Sequence, residues 1–218
     1  ADLVASLDAD NAALVVFFCS PQYDLHALGR SFEQCLGDVP VVGCTTAGEI
    51  SPLGIRANPI CAVALDARDF SAQVVSLEDL AFAQEDDVVD AIHNAMALLG
   101  AKALAPLTEQ TFAFSLLDGL SIREEIMLPV MHDALNGIPL LGGSAGDAMD
   151  FRGTYVYANG EFRENAAVLA LINTRCPFEI LSSHHFTPTT EKLIVTRADP
   201  EKRVVLELNA EPAAPEYC

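Results

Sequence analysis

The hydrophobic pattern of the chain changes period in a regular order. Two apolar runs of strand length, Leu14–Cys19 and Phe112–Leu117, each lead into positions spaced three or four apart. In the first stretch Leu25, Leu28, Phe32 and Leu36 form a helical stripe, with Asp24 placed to cap it. In the second, "SIRE" (121–124) reads as a capping box with Ser121 as N-cap and Glu124 reaching back. Pro129 falls inside that second helix and predicts a kink or a restart, because it lacks an N–H. Gly37 and Gly137 end the two helices, and the strands Pro40–Gly43 and Pro139–Gly142 follow. Strand, helix and strand in so short a space predict a parallel pair with a crossover helix.

Hairpins come next. "CAVALDA" is expected to turn through Arg68-Asp69 into "FSAQVVSL", "TYVYANGEF" to turn at Asn159-Gly160, and "AAVLALI" to pair with "FEILSS". Val88, Val89, Ile92, Met96 and Leu99 share one face of a predicted linking helix, 86–99, ahead of a connector at 100–110. The tail predicts two more strands across a polar turn.

The chain also repeats itself. "VPVVG" (39–43) matches "IPLLG" (138–142) in type at every position, and the same offset carries Leu28 onto Met127, Phe32 onto Met131 and Leu36 onto Leu135. It also lays "VVFFCS" (15–20) over "FSLLDG" (114–119), and "GCTTAGE" and "GGSAGD" agree in character with one residue fewer in the second copy. The expected fold is therefore α/β and layered, with mixed β-sheets and crossover helices, built from two copies of a β-α-β-plus-hairpin unit. The halves run approximately over 12–80 and 111–183.

Composition narrows the function. The 218 residues include 31 acidic and 12 basic side chains, a formal net charge of −19. Such a surface repels phosphate backbones and anionic lipid heads, which disfavours nucleic-acid and membrane-surface roles. No apolar run reaches the roughly 20 residues of a membrane-spanning helix, and the acidic start lacks the positive region of a secretory signal. Six cysteines without a CxxC pair read as reduced thiols of a cytoplasmic protein, with Cys35 in the apolar stripe of the first helix.

Candidate chemistry gathers where the second strand of each copy ends: Cys44, Thr45, Thr46, Gly48 and Glu49 in one, Gly143, Ser144, Ala145 and Asp147 in the other. In open α/β sheets ligands collect beyond the carboxyl ends of parallel strands. Successive amides in a Gly-containing turn form an anion-binding nest, hydroxyls add hydrogen bonds, and Glu49 and Asp147 are placed to receive an ammonium or to order the loop. Each turn alone is better explained by local backbone bonding; its recurrence at both sheet ends brings a site level with that explanation. A rival is a cysteine-dependent hydrolase using Cys44, although the second copy has Gly143 there and no base can be placed beside the thiol. His184-His185 is the one histidine pair, and on a strand its members would face opposite ways and could not share a metal. HExxH, CxxCH and GxxxxGK[ST] patterns are absent from the sequence.

Four segments, "FFCSPQYD" (17–24), "VPVVGCTTAGEI" (39–50), "IPLLGGSAGD" (138–147) and "AAVLALI" (166–172), resemble the FIST domain of signalling proteins in order and spacing. The resemblance implies an N-terminal FIST-like domain over 1–208, with 86–99 as its linking helix, and 209–218 as the start of a truncated C-terminal domain. It further implies a non-enzymatic intracellular sensor of a small molecule such as an amino acid. The sensor would feed a signalling protein such as a histidine kinase or cyclase, and a homodimer is a further expected partner. No cofactor is expected on this reading. One branch of the family is associated with haem and nitric oxide, which would make His184 or His185 a haem ligand.

Overall fold

In the computed structural model, Leu14, Val16 and Phe18 of the first strand pack to one side and Val15, Phe17 and Cys19 to the other, the alternation a strand with two covered faces requires. The structure describes residues 7, 9–51, 54–56, 59–147, 153–184, 186–200 and 202–217. They fall into two compact units, Ala1–Phe178 and Glu179–Cys218.

In the first unit, β1 (Ala12–Cys19) runs into α1 (Leu25–Leu36) and returns as β2 (Val41–Thr45), parallel to β1. The hairpin of β3 (Glu49–Ser51) and β4 (Gly54–Arg56) follows, then β5 (Ile60–Asp66), antiparallel to β1, and β6 (Phe70–Leu77). After α2 (Glu85–Gly100), the plan repeats as β7 (Thr111–Asp118), α3 (Glu124–Ala134) and β8 (Leu140–Ala145), again with a parallel pair. A short hairpin, β9 (Val156–Ala158) and β10 (Glu161–Arg163), precedes β11 (Ala167–Thr174), which lies antiparallel to β7.

The two copies trade strands. One sheet has the order β10-β9-β2-β1-β5 and the other β6-β11-β7-β8. The first copy thus lends β6 to the second sheet, and the second copy lends its hairpin to the first. Three apolar slabs hold the layers: α1 against the first sheet, the facing sides of the two sheets, and the second sheet against α2 and α3. β11, buried at all eight positions, contributes alternate residues to two of them.

The chain is therefore an α/β protein of layered mixed sheets with crossover helices, in which a β-α-β plan with a parallel pair occurs twice. Several local expectations change. "CAVALDA" and "FSAQVVSL" do not pair with each other; β5 and β6 belong to different sheets, and the turn between them is a corner. "FEILSS" forms no strand, since both edges of β11 are already occupied by β6 and β7. Cys35 is exposed, outside the stripe of Phe32 and Leu36. Helix α3 runs from Glu124 to Ala134 with Pro129 inside it, so the helix does not restart there. The Asn159-Gly160 turn forms as expected, with φ of 53° and 88°, the left-handed pair of a type I′ hairpin.

Strand register also refines the alignment of the copies. Val41 and Leu140 are equivalent, 99 positions apart, but Val15 opposes Val41 whereas Ala113 opposes Leu140. β1 and β7 therefore correspond at an offset of 98, since a one-residue slip would turn every side chain of β7 to the wrong face. On this alignment Gly43 meets Phe17 and its equivalent Gly142 meets Ser115: a Cβ would stand 2.5 Å and 1.9 Å from the respective carbonyl oxygens.

The connector at 100–110 is pinned by buried Asn173. Its Oδ1 accepts from the Leu104 and Ala105 amides at 2.8 and 3.1 Å, and its Nδ2 donates to Ala105 O, Gln110 O and Thr111 Oγ1.

The second unit contains the two tail strands, β12 (Val195–Asp199) and β13 (Val204–Leu208), then β14 (Glu211–Pro212) and α4 (Ala213–Tyr217). Among the described residues, no helix is long and apolar enough to cross a membrane.

Candidate functional site

β2 and β8 each leave their sheet at the carboxyl end beside the parallel strand of their own copy, and the turns that follow touch. The Gly146 amide donates to Thr45 O at 2.8 Å. A Cβ on Gly146 would stand 3.2 Å from the Ala47 nitrogen, so the two turns are in close contact. Thr45 fastens a third segment to this contact: its amide donates to Tyr155 O at 2.9 Å, and its Oγ1 accepts from the Tyr155 amide at 3.0 Å. Around the junction lies a hollow of about 260 Å³. Ala47, Ala145 and Leu120 give it an apolar wall, and Glu124, Ser144, Asp147 and Thr154 a polar one.

Of the residues singled out in the sequence, Ser144, Ala145 and Asp147 line the hollow directly. Asp147 is 7% exposed and accepts from the Gly153 amide at 3.3 Å. The first turn contributes Ala47, while Thr45, Thr46, Gly48 and Glu49 stand behind it. Thr46 Oγ1 donates to Glu49 Oε1 at 2.7 Å and accepts from the Gly48 amide at 3.4 Å. Glu49 is 3% exposed, and its Oε2 has no hydrogen-bond partner among the described residues. Gly143 is exposed on β8 and is not part of the hollow's lining. Cys44 belongs to the slab between the sheets, where burial, then the neighbouring Cys19, pushes its thiol up to about 12.

The pattern of Gly, hydroxyl and acidic residues after each second strand, now seen in place, agrees with a comparison of whole sequences: residues 13–211 match the FIST N domain. The chain belongs to that family. FIST domains are sensory and generally tied to signal transduction. An uncharacterized protein of Methanocaldococcus jannaschii, MJ1623, is 24% identical over 213 residues, covering 94% of this chain. The chain spans 40% of that relative's length.

Glu124 and Thr154 bring side-chain chemistry to this FIST N domain's hollow that the sequence does not point to. Glu124 was assigned by its spacing to a capping box, but Ser121 Oγ accepts only from the Arg123 amide two residues on, at 3.4 Å, and Glu124 Oε1 instead accepts from Ser144 Oγ. A tertiary partner outcompetes the local one. Thr154 opens the "TYVYANGEF" hairpin segment, whose pattern predicts the turn but not this residue's partner, and its hydroxyl donates to Asp118. Asp118, which ends β7 beside the hollow without lining it, is 4% exposed and also accepts from the Leu120 amide at 2.9 Å and the Asn165 amide at 2.5 Å. One carboxylate thus gathers the loop above the hollow and both ends of the exchanged hairpin.

The expected amide nest takes a different form. The Thr45, Thr46 and Gly146 amides donate to Tyr155 O, Cys19 O and Thr45 O, so turn packing has already claimed these donors. His184 belongs to the second unit, in an irregular exposed stretch and not on a strand, with Nδ1 3.1 Å from Phe186 O. His185 lies outside the described residues. Among the described residues, no group of three His, Cys, Asp or Glu side chains could hold a metal ion.

Proposed function

We propose that this FIST domain is a non-enzymatic sensor that binds a small metabolite of amino-acid size in the hollow between its paired turns, and passes occupancy to a signalling partner such as a histidine kinase or cyclase. The observation that carries the reading is the meeting of equivalent turns from the two copies, Gly146 on Thr45 at 2.8 Å, around a hollow whose polar wall includes buried Asp147 and Thr154. Ser144, Asp147, Glu124 and Thr154 are the contact residues; Thr45, Thr46, Gly48 and Glu49 set the wall behind Ala47. A bound molecule there touches both halves at once and favours whichever arrangement of them it fits better.

Cys44 supports this reading over hydrolysis. A nucleophilic thiol needs exposure and a lowered pKa, and Cys44 is 2% exposed with its ionisation suppressed by burial.

A thermal-shift screen with small metabolites tests the proposal, since a ligand of the folded state alone raises the melting temperature. At 100 times its Kd the stabilisation is about 2.7 kcal/mol. The expected hit loses its effect in Ser144→Val. A shift retained in full by that variant places binding elsewhere and defeats the assignment.

A further inference from the structure

Where β2 enters the first sheet, at the end remote from the paired turns, the surface holds a recess of about 320 Å³. Both copies shape it. The first supplies the close of α1 with Asp38 and Pro40, the second supplies the Asn159-Gly160 turn of the exchanged hairpin, and Lys102 comes from the connector between them. Val41 and Val74 give it an apolar side, backed by Phe32 and Tyr157, which are 2% and 1% exposed.

Five polar side chains line the same recess: Glu33, Asp38, Gln73, Lys102 and Asn159. None of them hydrogen-bonds or ion-pairs with another described residue. Lys102 shares the recess with two carboxylates and pairs with neither. The paired turns differ in this respect, since there Ser144 is bonded to Glu124 and Thr154 to Asp118. In the recess the hydrogen-bonding capacity of the lining side chains is open to a guest.

The mixture of groups restricts that guest. Carboxylates accept, an ammonium donates, and each amide does both. An anion meets Glu33 and Asp38 with like charge, and a cation does the same to Lys102. A zwitterion answers the charges but has nothing further for the two amides. A hydroxyl is donor and acceptor at once, like the water it displaces, so a molecule with several hydroxyls answers all five groups. Its hydrogen bonds to the three charged members are of the stronger, charge-assisted kind.

We infer that this recess binds a neutral polyhydroxylated molecule, a monosaccharide or cyclic polyol. Its hydroxyls bond to Glu33, Asp38, Gln73, Lys102 and Asn159, and a C–H face lies against Val41 and Val74. A volume of about 320 Å³ is at the low end for small-molecule sites and suits one ring, not a chain of rings. This is a second site, independent of the hollow at the paired turns.

The test titrates D-glucose, D-ribose and myo-inositol into the isotopically labelled chain while amide resonances are followed, with D-glucuronate and γ-aminobutyrate as charged comparisons. At least one neutral compound is expected to give saturable shifts at Gly37, Val41 and Gly160, at concentrations where both charged compounds give none. Asp38→Ala and Lys102→Met are each expected to weaken that binding about tenfold, the loss of one hydrogen bond to a charged group. Both side chains are exposed and unpartnered among the described residues, so the variants are expected to keep the native spectrum. Either charged compound binding at these residues as tightly as the best neutral one overturns the ligand class. Neutral binding that both variants keep in full overturns the assignment of the recess. Shifts from none of the three neutral compounds overturn the inference, and so do shifts confined to Ala47 and Gly146, which would belong to the hollow and leave the sensor reading standing.

Discussion

Gly142 faces the Ser115 carbonyl so closely that a methyl group has nowhere to go without moving one strand against the other. Gly142→Ala is expected to destabilise the fold by about 3 kcal/mol, the upper end of ordinary overpacking, seen as a lower urea midpoint. Three buried acids set a second behaviour at this scale. Burial, followed by the nearby Glu49, Cys19 or Glu33 respectively, raises Cys19 and Cys44 from 9.0 and Tyr157 from 10.0, each to about 12. The unfolded chain releases these protons first, so stability is intact below pH 9 and is lost as pH rises from 9 towards 12. Urea midpoints measured across that range should fall, and less steeply in the Cys19→Ala, Cys44→Ala double variant. Single residues were unevenly legible in the sequence. The Asp24 cap could be read because its partner, the Ala27 amide, lies three residues away. Glu124 and Asp118 could not, because their partners, Ser144, Thr154 and Asn165, are distant in the chain.

At the level of elements, periodicity indicates which faces of a strand are covered but not which strand lies at its edge. That is why β1, β2, β7, β8, β11 and the first three helices were legible, and the placing of β5 and β6 in different sheets was not. The short turn from Asp66 to Phe70 looks like a hairpin locally; the second sheet, with β11 ready to accept β6 over eight residue pairs, decides otherwise. The connector gives this scale its prediction. Asn173 makes five hydrogen bonds that hold 104–111 against β11. Asn173→Ala leaves several buried groups without partners and is expected to cost about 3 kcal/mol, from one to three for each group left unsatisfied and partly relieved by water. Trypsin cleavage after Lys102 should accelerate in the variant well before the rest of the chain yields; a uniform digestion pattern would show that the connector is not held by this side chain.

Across the whole molecule, the duplication that could be read from "VPVVG" and "IPLLG" has a consequence that sequence similarity conceals. Each copy is incomplete: β6 is built into the sheet of the other half, and β9 and β10 into the sheet of the first. Severing the chain within 100–110 would leave one piece with no neighbour for β6 and another with an unaccompanied hairpin. Neither piece should unfold cooperatively by itself, whereas an equimolar mixture should regain a single sharp urea transition. The ancestral unit, if it ever stood as a separate polypeptide, would on this geometry have worked only as an interlocked pair.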